Sequence, residues 1–265
     1  MAIIITVSNQ KGGVGKTTTS AALATGIAGE GKKVLGVDLD PQGNLGFCLG
    51  LEPSGLPTVL DALQGKVPVA EAVNHTDYCD VLASDISLSS GLDHVATGRR
   101  ECILRDTLAP IIGNYDYVII DTPPALNLLT VNAYTVSDFL IIPMATDIMS
   151  LVGLSQLKET IESVRSSLNP NLKVMGILLT RFNRRTLLAR DVLEMAGQLA
   201  SQIGTTVFDT KIRNGVAIAE APAHGESIFD YSPRSAAVQD YQCFLEEIAE
   251  TIHLKEVREN AEKDQ

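Results

Sequence analysis

The stretch Ala2-Ile3-Ile4-Ile5-Thr6-Val7 runs directly into Ser8-Asn9-Gln10-Lys11-Gly12-Gly13-Val14-Gly15-Lys16-Thr17-Thr18-Thr19 and then into an Ala-rich segment. The order is a β-branched run, a glycine loop and a helix start. Gly12, Gly13 and Gly15 carry no Cβ, so consecutive backbone N–H groups can turn inward around an anion, and the following helix adds its positive end. Val14, Lys16, Thr17 and Thr18 complete the same cradle. Lys16 can reach the β- and γ-phosphates of a nucleotide, and the Thr17 hydroxyl can ligate its Mg2+. A turn that merely joined strand to helix would not need Lys-Thr-Thr after its glycines.

Two other strand ends carry carboxylates. In Val34-Leu35-Gly36-Val37-Asp38-Leu39-Asp40-Pro41-Gln42 the two-residue repeat sends Asp38 and Asp40 to one side, at the strand end where open α/β sheets bind ligands. One of the pair can join a magnesium shell while the other places a water in line with a γ-phosphate; an ordinary polar strand end is the plain alternative. Tyr115-Asp116-Tyr117-Val118-Ile119-Ile120-Asp121-Thr122-Pro123-Pro124 is an apolar strand ending on Asp121. A carboxylate there is costly to desolvate without a cation, so a metal or its water shell is the natural partner. Thr17, Asp38 and Asp121 are the expected metal set. Pro123 and Pro124 end the strand and can form a loop that senses a γ-phosphate.

Further along, strand candidates at 2–7, 33–37, 116–120, 139–142, 173–179 and 206–208 alternate with helix candidates at 16–30, 99–112, 126–137, 151–168, 186–203 and 233–252. Strands apolar on both faces and separated by helices describe a parallel sheet covered on both sides. The expected fold class is an α/β P-loop NTPase with a mostly parallel twisted sheet, forming a single domain over residues 1–265. Short helices and an extra strand or hairpin are expected within 43–90. Residues 246–265 hold seven acids against three bases, which predicts a polar, fraying end over about 254–265 rather than a membrane-binding amphipathic helix.

With 265 residues, 45% of them apolar, the chain can bury a full core. Its apolar runs fall far short of the ~18 residues a membrane span needs. Lys plus Arg total 21 against 32 Asp plus Glu, a net charge of −11, which excludes a uniformly basic nucleic-acid binder but not a local basic face. Cys48, Cys79, Cys102 and Cys243 show no metal-type spacing, and no leader segment is expected, so reduced cytoplasmic thiols are the reading. His75, His94, His224 and His253 are too dispersed for a metal site.

The strict phosphate-loop pattern has Gly where this chain has Gln10, and K-G-G-V-G-K-T-T carries an extra lysine, Lys11. Together with Val37-Asp38-Leu39-Asp40-Pro41-Gln42 and the Asp121-Thr122-Pro123-Pro124 end, this resembles the ParA/Soj-type partition ATPases of the deviant Walker A (ParA/MinD) superfamily. Val207-Phe208-Asp209-Thr210, Glu220-Ala221-Pro222, His224-Gly225 and residues 230–235 extend the resemblance into the C-terminal half. The resemblance implies an ATP-dependent sandwich homodimer in which Lys11 reaches the partner's phosphates. It also implies that Lys16 and Thr17 serve phosphate and Mg2+, that Asp40 orients the attacking water and that Asp121 holds the metal shell. Further implications are non-specific DNA binding by the ATP dimer, a ParB-like or adaptor protein that stimulates hydrolysis, and a cytoplasmic, nucleoid-associated location without membrane attachment. An N-terminal helix-turn-helix domain is not expected, since the first strand starts at residue 2.

Two departures stand out. Family members commonly read I-P-R-N where this chain has Ile212-Arg213-Asn214-Gly215, the segment assigned to the adenine side, with Arg213 and Asn214 as its candidates. An Arg associated with DNA contact is Ala217 here. DNA must then find other cations, and Arg181, Arg184, Arg185 and Arg190, four Arg without an acid in ten residues, are the candidates. A solvated helix start whose Arg side chains pair with nearby acids is the alternative. Competing functions are a MinD-like positioning ATPase on a non-DNA matrix and a small-molecule enzyme on the same scaffold.

Overall fold

Neighbouring strand residues feed two different cores. Val118, Ile120, Leu140 and Ile142 pack into one apolar cluster, while Ile119, Phe139 and Ile141 pack into another on the opposite face. Such alternation between two buried faces is what makes the strands read as continuous apolar runs. The structure is a computed structural model that describes residues 2–51, 55–92 and 99–263, with side chains up to residue 253. His94 and the side chains of the expected polar tail lie outside the described residues.

In chain order the elements are β1 Ile3–Val7, α1 Lys16–Gly29, β2 Val34–Asp38, α2 Asn44–Cys48, α3 Val59–Leu63, α4 Val69–Ala72, β3 Val73–His75 and β4 Asp80–Leu82. There follow α5 Leu88–Gly91, α6 Ile103–Leu108, β5 Tyr117–Asp121, α7 Leu128–Val136, β6 Phe139–Ala145, α8 Ile148–Ser167, β7 Lys173–Thr180, α9 Leu187–Ile203, α10 Val216–Glu220, α11 Ile228–Tyr231 and α12 Ala236–Lys263. One seven-stranded sheet runs β3-β4-β2-β5-β1-β6-β7. All pairings are parallel except β3 with β4, so the α/β P-loop class expected from the sequence is correct. The hairpin expected within 43–90 is β3–β4.

Helices α3, α6, α7, α8 and α9 contribute to one core, and α1, α2 and α12 to the other. The parallel strands bring the ends of β1, β2 and β5 side by side: Val7 pairs with Asp121, and Asp121 with Asp38. The phosphate loop and the two carboxylate-bearing strand ends therefore meet on one edge of the sheet.

The chain departs from the sequence expectation at 206–208, at 99–112 and in α12, whose helical backbone runs past the expected end at 252 to Lys263. Residues 206–208 make a single bridge, Ile177 with Val207, and no strand. The backbone N–H groups of Asp209 and Thr210 donate instead to the Glu247 carboxylate, which pulls the chain off the sheet edge. The helix expected over 99–112 shrinks to a 3-10 turn, Arg100–Cys102, followed by α6. The Asn132 amide accepts from Leu104 N–H and donates to Arg100 O, binding this turn to α7. Helix α8 begins at Ile148, because Asp147 caps it by accepting from the Ser150 N–H.

Candidate nucleotide site

The loop between β1 and α1 is held from three sides. Asn9 donates to Pro143 O at 2.7 Å and accepts from Lys11 N–H at 3.0 Å. Tyr134 donates to Ser8 Oγ at 2.8 Å, and Thr180 donates to Val14 O at 2.9 Å. Gly13 and Gly15 sit at φ 71° and 88°, a region where a Cβ is strained. Gly15 precedes α1 without a side-chain cap, so the first helical N–H groups stay available to an anion.

Lys16 is buried and its Nζ donates to Lys11 O at 3.0 Å. Burial lowers its pKa, while Asp121 and Asp40 pull it back up. Asp121 is fully buried; its Oδ2 accepts from Thr17 Oγ1 at 2.7 Å and its Oδ1 from Ser20 Oγ at 2.9 Å. Desolvation pushes its carboxyl up to about 6, against the hydroxyl bonds and Lys16, which act to lower it. Asp38 is driven well above the ordinary carboxylate range by burial and then by the Asp121 charge. Its two oxygens accept from the backbone N–H of Asp40 and of Leu45, both at 2.9 Å. In this state Asp38 therefore organises the turn from β2 into α2. Asp40 is 8% exposed and accepts from Gln42 N–H through Oδ1.

These features fit a magnesium-bound phosphate chain. Asp38 and Asp121 are buried side by side, Asp121 bonded to two hydroxyls and Asp38 to two backbone N–H groups, the buried Lys16 ammonium has one carbonyl as its hydrogen-bond partner among the described residues, and the glycine cradle stands open at the helix start. Gln10 Nε2, in the same loop, is a buried donor without a partner in the described structure.

Lys11 points elsewhere. Its Nζ donates to Asp147 Oδ1 at 2.6 Å and to Ser150 Oγ at 3.3 Å. Burial alone would raise the Asp147 carboxyl, but Lys11 and Ser150 outweigh it and hold it below its ordinary value. The capping role of Asp147 has a sequence signature, an Asp just before a helical run. Its ion pair with Lys11, 136 residues away, has none.

A cavity of about 180 Å3 adjoins the loop, lined by Val14, Gly15, Thr18, Thr180, Arg181 and the segment 212–215. Arg213 and Asn214 thus lie beside the phosphate loop as expected, but the Arg213 guanidinium is engaged by Asp240 at 2.7–2.8 Å. Arg181 borders the same cavity, and its φ is 51°. Arg184, Arg185 and Arg190 are exposed around the start of α9. No ion pair to any of these four Arg is formed among the described residues.

A protein-family profile described as an AAA domain matches residues 2–174. The chromosome partitioning protein ParA of Caulobacter vibrioides is 41% identical over 251 residues, covering 92% of this chain and 93% of that protein. The chain belongs to the ParA/Soj family of partition ATPases. Another member, the sporulation initiation inhibitor protein Soj of Bacillus subtilis, is 41% identical over 253 residues, with 94% of this chain and 99% of Soj covered. Among solved structures, cobyrinic acid a,c-diamide synthase from Mycobacterium smegmatis with bound ATP analog and magnesium superposes with a TM-score of 0.81 at 33% identity, covering 93% of both chains. Family membership makes the chain a partition or positioning ATPase. Among the described residues there is no helix long and apolar enough to cross a membrane and no cluster of His, Cys, Asp and Glu able to hold a metal ion.

Proposed function

We propose that the chain binds Mg2+ and ATP in the β1–α1 loop, dimerises on ATP, binds DNA without sequence preference in that state, and returns to the monomer when a ParB-like or adaptor protein stimulates hydrolysis. The observation that carries this reading is the convergence of Lys16, Thr17, Asp121 and Asp40 on one loop, with a second lysine, Lys11, engaged outside it. The bound nucleotide supplies the γ-phosphoryl group that passes to water. Lys16 neutralises phosphate charge, Thr17 serves the metal and Asp121 orients it through the Thr17 and Ser20 hydroxyls. Asp40 positions the attacking water, a task of placement that needs no shifted pKa. Asp38 stands second to these, since its oxygens already serve the backbone. Lys11 is exposed enough to leave Asp147 and reach a partner's phosphates, so an ion pair within one chain is exchanged for one between chains.

Arg184, Arg185 and Arg190 support a polyanion surface. Cations near a helix N-terminus oppose the helix dipole, and a phosphate backbone beside α9 would relieve that conflict. In a dimer each patch occurs twice, which steepens the salt dependence. A whole-chain charge of −11 keeps the monomer's DNA affinity low and leaves binding to the doubled patch. The synthase likeness favours a small-molecule enzyme as the second reading, but the partition proteins match at higher identity.

The test is binding to random-sequence duplex DNA with ATP, ADP or no nucleotide at two salt concentrations. The reading predicts ATP-dependent, salt-sensitive binding that weakens at least tenfold in Arg184→Ala/Arg185→Ala, about the loss expected when several phosphate contacts go. Absence of DNA binding in a protein that still dimerises on ATP would assign the dimer to another matrix.

A further inference from the structure

The wall of the cavity opposite the phosphate loop is built from a segment, residues 208–215, that α12 grips at three points. Asp240, Phe244 and Glu247 lie at i, i+4 and i+7 and so share one stripe of that helix. Glu247 accepts from Asp209 N–H at 2.6 Å and from Thr210 N–H at 2.9 Å. The ring of Phe244 meets Phe208 edge to face, with centroids 4.9 Å apart. Asp240 Oδ2 accepts from the Arg213 backbone N–H at 2.9 Å and from its Nε at 2.8 Å, and Oδ1 accepts from Nη2 at 2.7 Å. The same Nη2 donates to Ala236 O at 2.9 Å. Between these points the Ile212 N–H donates to Leu179 O and its carbonyl accepts from Phe182 N–H, tying the segment to the end of β7.

Arg213 therefore spends its backbone N–H and two guanidinium nitrogens on α12. We infer that Asp240 is a positioning residue for nucleotide binding: through Arg213 it fixes the wall formed by residues 212–215, and Asn214 with the local backbone, rather than the Arg213 guanidinium, meets the base. This inference rests on the nucleotide reading above. A carboxylate that takes a backbone N–H together with a forked guanidinium gives charge-assisted bonds in a fixed geometry, whereas an isolated exposed ion pair would do little. Glu247 secures the other end of the segment. The affinity for the base half of a nucleotide then depends on how α12 is seated, while the phosphate half depends on the β1–α1 loop alone.

The test separates those halves by measuring Mg2+-dependent binding of a fluorescent ATP and its competition by inorganic tripolyphosphate, which has no base. Asp240→Asn is expected to weaken ATP about tenfold, the scale of one lost charge-assisted interaction, and to leave tripolyphosphate within about twofold. Arg213→Ala should cost the same, and the double variant no more than either single one, because the two act as a unit. Glu247→Gln, which keeps the helix and weakens the other anchor, should shift ATP in the same direction with tripolyphosphate unchanged. The inference is overturned if Asp240→Asn binds ATP as the wild type does, if ATP and tripolyphosphate weaken equally, or if the two single losses add. A wild-type chain that binds neither ligand overturns the nucleotide reading itself.

Discussion

Lys16→Ala is expected to lower ATP and ADP affinity by about 100-fold or more, measured by calorimetric titration in the presence of Mg2+. The ammonium is buried and, among the described residues, its one hydrogen bond is to Lys11 O, so most of its donor capacity is left for a ligand. Its burial is costly, which is why its pKa falls even with Asp121 and Asp40 nearby. A buried charge with so little compensation gains greatly from an anion that brings two or three oxygens. Removing it takes away those bonds and leaves Asp121 and Asp40 facing the incoming phosphates without a cation. Unchanged affinity would contradict the assignment of the β1–α1 loop as the phosphate site.

Asp40→Ala should separate binding from turnover. The variant is expected to keep ATP affinity within a few-fold and still dimerise, while phosphate release slows by about 100-fold, the scale of losing a group that positions the attacking water. Structurally Asp40 is well placed for selectivity of this kind. It lies just past the end of β2, near enough to Lys16 and Asp121 to perturb both. Its Oδ1 is occupied by the Gln42 N–H, which fixes the carboxylate without consuming its second oxygen. A phosphate-release assay run beside light scattering reads both quantities on one sample. Normal turnover would remove Asp40 from the mechanism, and a lost ATP complex would make it a binding residue.

The proposed phosphate site could be read from the sequence because each of its parts is a local pattern. Glycines that must sit at positive φ, a lysine and a threonine at a helix start, and an acid closing an apolar run all announce themselves within a dozen residues. The parallel sheet was legible for a related reason, since strands buried on both faces lose the polar alternation of a half-exposed sheet. What escaped detection depends on contacts distant in sequence. Nothing near Lys11 points to Asp147, and nothing near Arg213 points to Asp240. The 206–208 segment has strand-like residues yet makes one bridge, because the Glu247 carboxylate outcompetes the sheet edge for its next two N–H groups. The shortened 99–112 helix fails likewise, because Asn132 on α7 supplies the partners of its first turn.

The most direct measurement of an ATP-gated dimer is the solution mass with a non-hydrolysable ATP analogue, with ADP and without nucleotide, for the wild type and for Lys11→Ala. Lys11 is the residue that would move from Asp147 of its own chain to the phosphates of a partner. The predicted result is twice the 28.3 kDa of one chain with the ATP analogue only, and a monomer in every state for Lys11→Ala despite retained nucleotide binding. A wild type that stays monomeric with ATP, or a Lys11→Ala variant that dimerises equally well, would contradict it.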